Sequence, residues 1–211
     1  MDKEVEEQVK EYVRSHFVDD ASGHDWHHIE RVYNMALKIA EKEGADRTIV
    51  GIAALLHDIG IRREIECGLD HSEYGASLSK KYLLEIGFDP SEIDRVVEAI
   101  REHRYGKQIK PKSLEGRVLQ DADMLDAIGA IGIARAFAYG GARGALIYNP
   151  TEKVENYDPF KVKSTITHFK EKLLNIKDRF NTKTAKEIGL ERHRFMEKFL
   201  EEFYNEIAGE R

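Results

Sequence analysis

The chain has 211 residues, 41% of them hydrophobic and 34% charged, with four prolines, one cysteine and a net charge of −6. That length can bury a real core without staples, the lone Cys67 rules out an internal disulfide, and the acidic balance argues against a broad electrostatic grip on polymeric nucleic acid. The opening MDKEVEEQVKEYVRSHF is charged from its second residue and lacks a signal peptide's apolar stretch, and no segment has the roughly 18 uninterrupted apolar residues of a membrane span. A cytoplasmic protein without a membrane partner is expected.

Apolar residues recurring at three- and four-residue intervals, with Leu, Ala, Glu, Lys and Arg abundant, predict helices almost throughout and no alternating strand: an all-α chain. Asp25 can cap a helix to about Glu43 with an apolar stripe of Ile29, Val32, Ala36 and Ala40, ended by Gly44. Asp46 opens the next helix, which runs into His57 and Asp58. Ser72 is expected to start a helix through Leu78, Tyr82 and Ile86, stopped by Gly87. The run DPSE at 89–92 then combines an N-cap, a first-turn proline and a capping-box glutamate. That helix buries Ile93, Val96, Val97 and Ile100 and reaches His103. Pro111 breaks the chain, Ser113 caps a helix with Leu114, Val118, Leu119, Ala122 and Leu125 inward, and a looser stretch from Tyr139 to Phe160 leads to two long amphipathic helices. The last of these carries Ile188, Phe195, Phe199 and Phe203. With no linker rich in Gly, Ser or Pro and no internal repeat, residues 1–211 read as a single helical domain.

The segment AALLHDIGIRR at 53–63 brings an imidazole and a carboxylate to the end of an apolar run. Burying either group costs several kcal/mol, on the order of the transfer penalty for an unpaired polar group, unless a partner such as a metal ion satisfies it. His28 shares a helical face with Val32, and Asp123 lies beside the face marked by Leu119 and Ala122, so three helices each turn a metal-capable side chain inward. Taken singly, His28 reads as a satisfied core histidine and Asp123 as a capping carboxylate; taken jointly with His57 and Asp58, a ligand set is the better reading. His24 and His27 fall on other helical faces and are expected at the surface or behind the ligands.

HDWHHIERV at 24–32, ALLHDIG at 54–60 and QDADMLDAIGAIGIARAFAYGG at 120–141 together resemble the HD-domain metal-dependent phosphohydrolases, and the C-terminal RFNTKTAKEIGLERHRFMEKFLEEF resembles their cap helices. The resemblance implies an HD fold with C-terminal cap helices, metal ligation by His28, His57, Asp58 and Asp123, and catalytic parts for Asp58 and Asp123. HSEYGA at 71–76 and EAIREHR at 98–104 resemble the extra histidine segments of dinuclear members such as the HD-GYP phosphodiesterases and the diadenosine tetraphosphate hydrolases. On that likeness His71 and His103 would complete a second metal position. The DADMLDAIGAIG-like segment also resembles small HD hydrolases that cleave nucleoside triphosphates with the four-ligand set alone. Ile61 stands where HD-GYP proteins have lysine, which argues against cyclic dinucleotide hydrolysis.

Imidazole and carboxylate without thiolate suit Mn²⁺, Fe²⁺, Co²⁺ or Zn²⁺, as one ion or two. In a one-metal site Asp123 or Glu64 would serve as base. Arg62, Arg63, Arg104 and Lys107 are the cations expected to bind substrate phosphate, with Arg135 and Arg143 also near the site segments. The expected reaction is hydrolysis of a phosphoester or phosphoanhydride of a small molecule, a nucleotide being favoured. The alternatives are a single-metal nucleoside triphosphate pyrophosphohydrolase and a non-catalytic nucleotide sensor. The apolar faces of the terminal helices are compatible with a homodimer.

Overall fold

A computed structural model describes residues 3–17, 25–107, 109–158 and 161–210, with the backbone alone at Lys107. His24 lies outside the described residues, as does the Lys107 side chain. The fold is all-α. Among the described residues there is no strand, and no helix is long and apolar enough to cross a membrane.

The chain divides into two compact units, residues 1–20 with 24–123 and residues 21–23 with 124–211. The first holds α1 (Lys3–Arg14), α2 (Trp26–Glu43), α3 (Arg47–Leu56), α4 (Ile61–Cys67), α5 (His71–Glu85), α6 (Pro90–Glu102) and most of α7 (Leu114–Asp126). Within it α3 is the central helix: every residue from Ile49 to Leu56 is buried, and α1, α2, α5 and α6 all pack on it. Such a helix, apolar on all sides, is stable only when surrounded. Aspartates start four of these helices as expected of N-caps, Asp25 accepting from the His28 amide, Asp46 from Thr48 and Ile49, Asp70 from Ser72 and Glu73, and Asp89 from Ser91 and Glu92. Gly44 closes α2 at φ 75° with its N–H on the Ala40 carbonyl. Tyr33 and Tyr82 belong to this packing, the first donating to Glu6 (2.6 Å) and the second stacked on Tyr12.

Ser72 is not the cap of α5. Asp70 takes that place, its carboxylate accepting from both the Ser72 amide (2.9 Å) and the Ser72 hydroxyl (2.6 Å), and so His71 becomes the first residue of the helix.

The second unit contains α8 (Gly129–Ala142), α9 (Thr165–Glu171), a 3₁₀ segment over Leu173–Asp178 and α10 (Lys183–Ala208). Helix α8 continues through Tyr139 to Ala142, so the irregular stretch begins four residues later than expected. Only one of the two long C-terminal helices forms. Helix α9 has seven residues, beginning with the β-branched Thr165, Ile166 and Thr167, and the Asn175 side chain donates to the carbonyls of Glu171 (3.0 Å) and Lys170 (3.4 Å), which an α-helical continuation would have used. The buried face of α10 also differs from the expected stripe. It runs through Thr184, Ala185, Gly189, His193, Met196 and Leu200, while Phe195 is 51% exposed, because the Phe180 ring packs directly on Gly189 and draws that side inward. Phe199 and Phe203 stay half-buried in an aromatic cluster with Phe137 and Phe169.

Candidate metal centre

Five segments of the first unit deliver side chains to one place, mostly from helix ends. His28 is the third residue of α2, its amide held by Asp25 (2.9 Å) and its ring buried. His57 directly follows α3 and His103 directly follows α6, and each turns Nδ1 back on a carbonyl of the helix it ends: Ala54 at 2.8 Å and Ile100 at 2.6 Å. A carbonyl oxygen only accepts, so Nδ1 is the protonated nitrogen in both rings and Nε2 faces the site. His71 reaches the same tautomer differently, its Nδ1 donating to the Glu64 carboxylate at 2.6 Å.

Asp58, 4% exposed, stands between two pairs of imidazoles. Its Oδ2 lies 3.5 Å from His28 Nε2 and 3.6 Å from His57 Nε2, and its Oδ1 lies 3.5 Å from His71 Nε2 and 3.6 Å from His103 Nε2. Asp123 contributes from within α7, with Oδ1 3.5 Å from His28 Nε2, and its side chain, 29% exposed, is the most open of the set. The two groups His28, His57, Asp58 and Asp58, His71, His103 each offer three ligand atoms within 4.8 Å of one another.

These distances match what neighbouring donors of one ion require, because atoms about 2.0–2.2 Å from a metal at octahedral to tetrahedral angles are roughly 2.8–3.6 Å apart. The electrostatics make the same demand. His71 Nε2 and His103 Nε2 face each other at 3.3 Å with both Nδ1 protons already directed elsewhere, so two lone pairs meet beside a carboxylate oxygen unless a metal ion or a second proton on one ring lies between them. His57 Nε2 is buried without a hydrogen-bond partner. Burial pushes the His57 imidazole down to about 4, against the opposing pull of Asp58, so it is a neutral donor at physiological pH. Burial also disfavours the charged form of His103, but Asp58 outweighs it and raises that ring.

A close backbone approach allows this convergence. A methyl carbon on Gly60 would lie 2.5 Å from the His71 carbonyl oxygen and 2.9 Å from the Gly75 nitrogen, so only glycine at 60 lets the first turn of α5 reach the turn that carries Asp58.

The cations named from the sequence are placed less uniformly. Arg62 and Arg63 stand on the exposed side of α4 and pair with Glu66. Arg104 is committed to Glu64 through two hydrogen bonds (2.8 and 3.0 Å), with Asp70 at 3.7 Å. In the second unit Arg135 pairs with Asp126 at 2.8 Å and Arg143 donates to the Tyr139 hydroxyl at 2.7 Å. Both Glu64 oxygens are occupied by His71 and Arg104, which hold the carboxyl below its ordinary range although burial alone would raise it. That leaves Asp123 rather than Glu64 as the open carboxylate. His27 is exposed, near Glu30.

Residues 25–128 match the family model described as HD domain. The chain is 42% identical to protein YpgQ of Bacillus subtilis over 96% of its own length and 94% of that protein's. The crystal structure of Bacillus subtilis YpgQ in complex with ADP superposes with a TM-score of 0.77 at 38% identity, covering 97% of this chain and 98% of that one. An HD-superfamily hydrolase from Bacillus thuringiensis gives a TM-score of 0.78 at 41% identity, with 98% of both chains covered. The histidine–aspartate doublet at the end of α3, the matching model and these relatives along almost the whole chain agree: this protein belongs to the HD-domain superfamily.

Proposed function

We propose that the chain is a metal-dependent phosphohydrolase with a two-ion centre, acting on a phosphoester or phosphoanhydride of a small molecule, with a nucleotide as substrate. The observation that carries this reading is the placement of Asp58, one carboxylate with each oxygen set against a separate pair of imidazoles. His28, His57 and Asp123 would hold one ion, His71 and His103 the other, and Asp58 would be shared. The nitrogen-rich set suits Mn²⁺, Fe²⁺, Co²⁺ or Zn²⁺ better than Mg²⁺. When bound, such ions supply Lewis acidity toward a phosphoryl oxygen and make water a nucleophile near neutral pH.

The chain's own residues do the rest. His57 and His103, locked by carbonyls of their helices, keep Nε2 directed inward without any rearrangement. Asp123, the carboxylate with an open side, orients the attacking water and takes its proton. Arg62 pairs at the surface with Glu66, and Arg63 with Glu66 and the Tyr74 hydroxyl, and exposed ion pairs of this kind are worth under about 1 kcal/mol, so a substrate phosphate displaces them at little cost. The ADP complex of the YpgQ relative supports a nucleotide as substrate.

The test is to strip the protein of metal, resupply Mn²⁺ and offer nucleoside di- and triphosphates while following phosphate and pyrophosphate release. Turnover is expected in the wild type and background rates in Asp58→Ala. Full activity in that variant contradicts the assignment, and nucleotide binding without release marks a sensor. Pyrophosphate release with one ion per chain selects the single-metal pyrophosphohydrolase instead.

A further inference from the structure

Glu64 is a carboxylate near the centre that touches a proposed ligand from behind. Its Oε2 accepts from His71 Nδ1 at 2.6 Å and from the His71 backbone N–H at 3.0 Å, so one oxygen holds both the ring and the start of α5. Arg104, the residue after His103, clamps the same carboxylate with Nη2 on Oε1 at 2.8 Å and Nη1 on Oε2 at 3.0 Å. Nη1 also lies 3.7 Å from Asp70, the cap of α5. The segments bearing His71 and His103 are thereby joined through a second connection, remote from the lone pairs that face each other at 3.3 Å.

We propose that Glu64, clamped by Arg104, is a positioning residue that sets the tautomer and direction of His71 and with them the affinity of the second metal position; the affinity part rests on the two-ion reading above. Two features distinguish this from ordinary surface pairing. An imidazole with no fixed Nδ1 partner exchanges its proton between the two nitrogens, and each His71 molecule protonated on Nε2 would aim an N–H at His103 and Asp58 instead of a lone pair. The guanidinium binds Glu64 in a two-point fork, which fixes the plane of the carboxylate as well as its charge, a geometry lysine cannot reproduce. His57 and His103 need no such device because carbonyls of their own helices serve them. His71, at the first turn of its helix, has no preceding helical carbonyl behind it.

The experiment combines two readouts on wild type, Glu64→Gln and Arg104→Lys. In metal-free protein above pH 8, long-range ¹H–¹⁵N spectra report the His71 tautomer. The wild type is expected to be protonated at Nδ1, with a mixture in Glu64→Gln and a smaller shift in Arg104→Lys. Elemental analysis with Mn²⁺ titration then counts ions: two in the wild type, with the second weakened roughly 10- to 100-fold in Glu64→Gln and the first unchanged, the size expected for loss of a partner behind a ligand. A wild-type tautomer retained in Glu64→Gln overturns the positioning role. One ion in the wild type overturns the two-ion reading and the affinity claim with it, whatever the spectra show. Equal affinity for both ions in the wild type and Glu64→Gln leaves the two-ion reading standing and overturns the part assigned to Glu64. Arg104→Lys, a substitution at a partly exposed side chain, keeps the test valid if Glu64→Gln fails to fold.

Discussion

His57 and His103 each end a helix and donate Nδ1 to the carbonyl three residues back. The last carbonyls of a helix have no intrahelical donor, so one hydrogen bond both satisfies the helix end and chooses the tautomer. A different histidine, His168 of α9, offers a clean test of burial. Desolvation, with Lys172 adding to it, pushes its imidazole down to about 4 from the ordinary 6.5, and the Tyr157 ring packs at 5.3 Å. A depressed folded pKa means that the unfolded chain binds the proton first, so this contribution is intact above about pH 6.5 and is lost as pH falls toward 4. His168→Phe, which keeps an aromatic ring against Tyr157, should flatten the fall of the urea midpoint over that window relative to wild type. An identical pH dependence in the two proteins would show that His168 is not the group responsible. His28, His57, Asp58 and Asp123 were readable in the sequence as candidate ligands because each lies at a helix end or on an inward face, whereas His71 and His103 became candidates only through the resemblance to dinuclear family members. Glu64 as a partner of His71 was not readable, since the two sit on different helices and no local periodicity links them.

Helix α5 carries His71, a proposed ligand, at its first position, so what starts the helix also places that ring. Asp70 accepts from the amides of Ser72 (2.9 Å) and Glu73 (3.4 Å). Asp70→Ala is expected to lower stability by about 1 kcal/mol, the usual worth of an N-cap, in chemical denaturation. The Gly60 contact is stricter. Gly60 has φ −89°, which alanine adopts without strain, so the whole penalty of Gly60→Ala comes from the crowding against His71 and Gly75. A loss of roughly 1–3 kcal/mol, the range for overpacking, is expected together with weaker metal uptake; unchanged denaturation and metal binding would show that α5 shifts freely. The aspartate at 70 was open to sequence reading, as Asp70 and Glu73 have the spacing of a capping box, yet Ser72 offered an equally plausible start two residues on. The short α9 was harder to foresee, because its end depends on where the Asn175 amide folds back.

At the scale of the whole molecule, acid and imidazole groups concentrated in one buried place would make a metal ion bound there a contributor to folding. Anything bound by the folded chain and not by the unfolded one stabilises it, by about 2.7 kcal/mol at a hundredfold excess over its Kd. Mn²⁺ should therefore raise the thermal midpoint of metal-stripped wild type and leave that of Asp58→Ala nearly unchanged, as differential scanning calorimetry would read directly. An equal rise in both would place the stabilising ion elsewhere. The sequence by itself determined the helical class, the Asp25, Asp46 and Asp89 caps, the buried α3 and the order of the histidines and aspartates, because helix periodicity and capping act over a few residues and are written locally. Only the tertiary structure decided that Asp58 divides its two oxygens between two imidazole pairs, that Glu64 and Arg104 stand behind His71, and which side of α10 turns inward. Those outcomes depend on how helix ends from distant parts of the chain approach one another, and that is set by close contacts such as Gly60 on Gly75 and Phe180 on Gly189 rather than by the residues of any one helix.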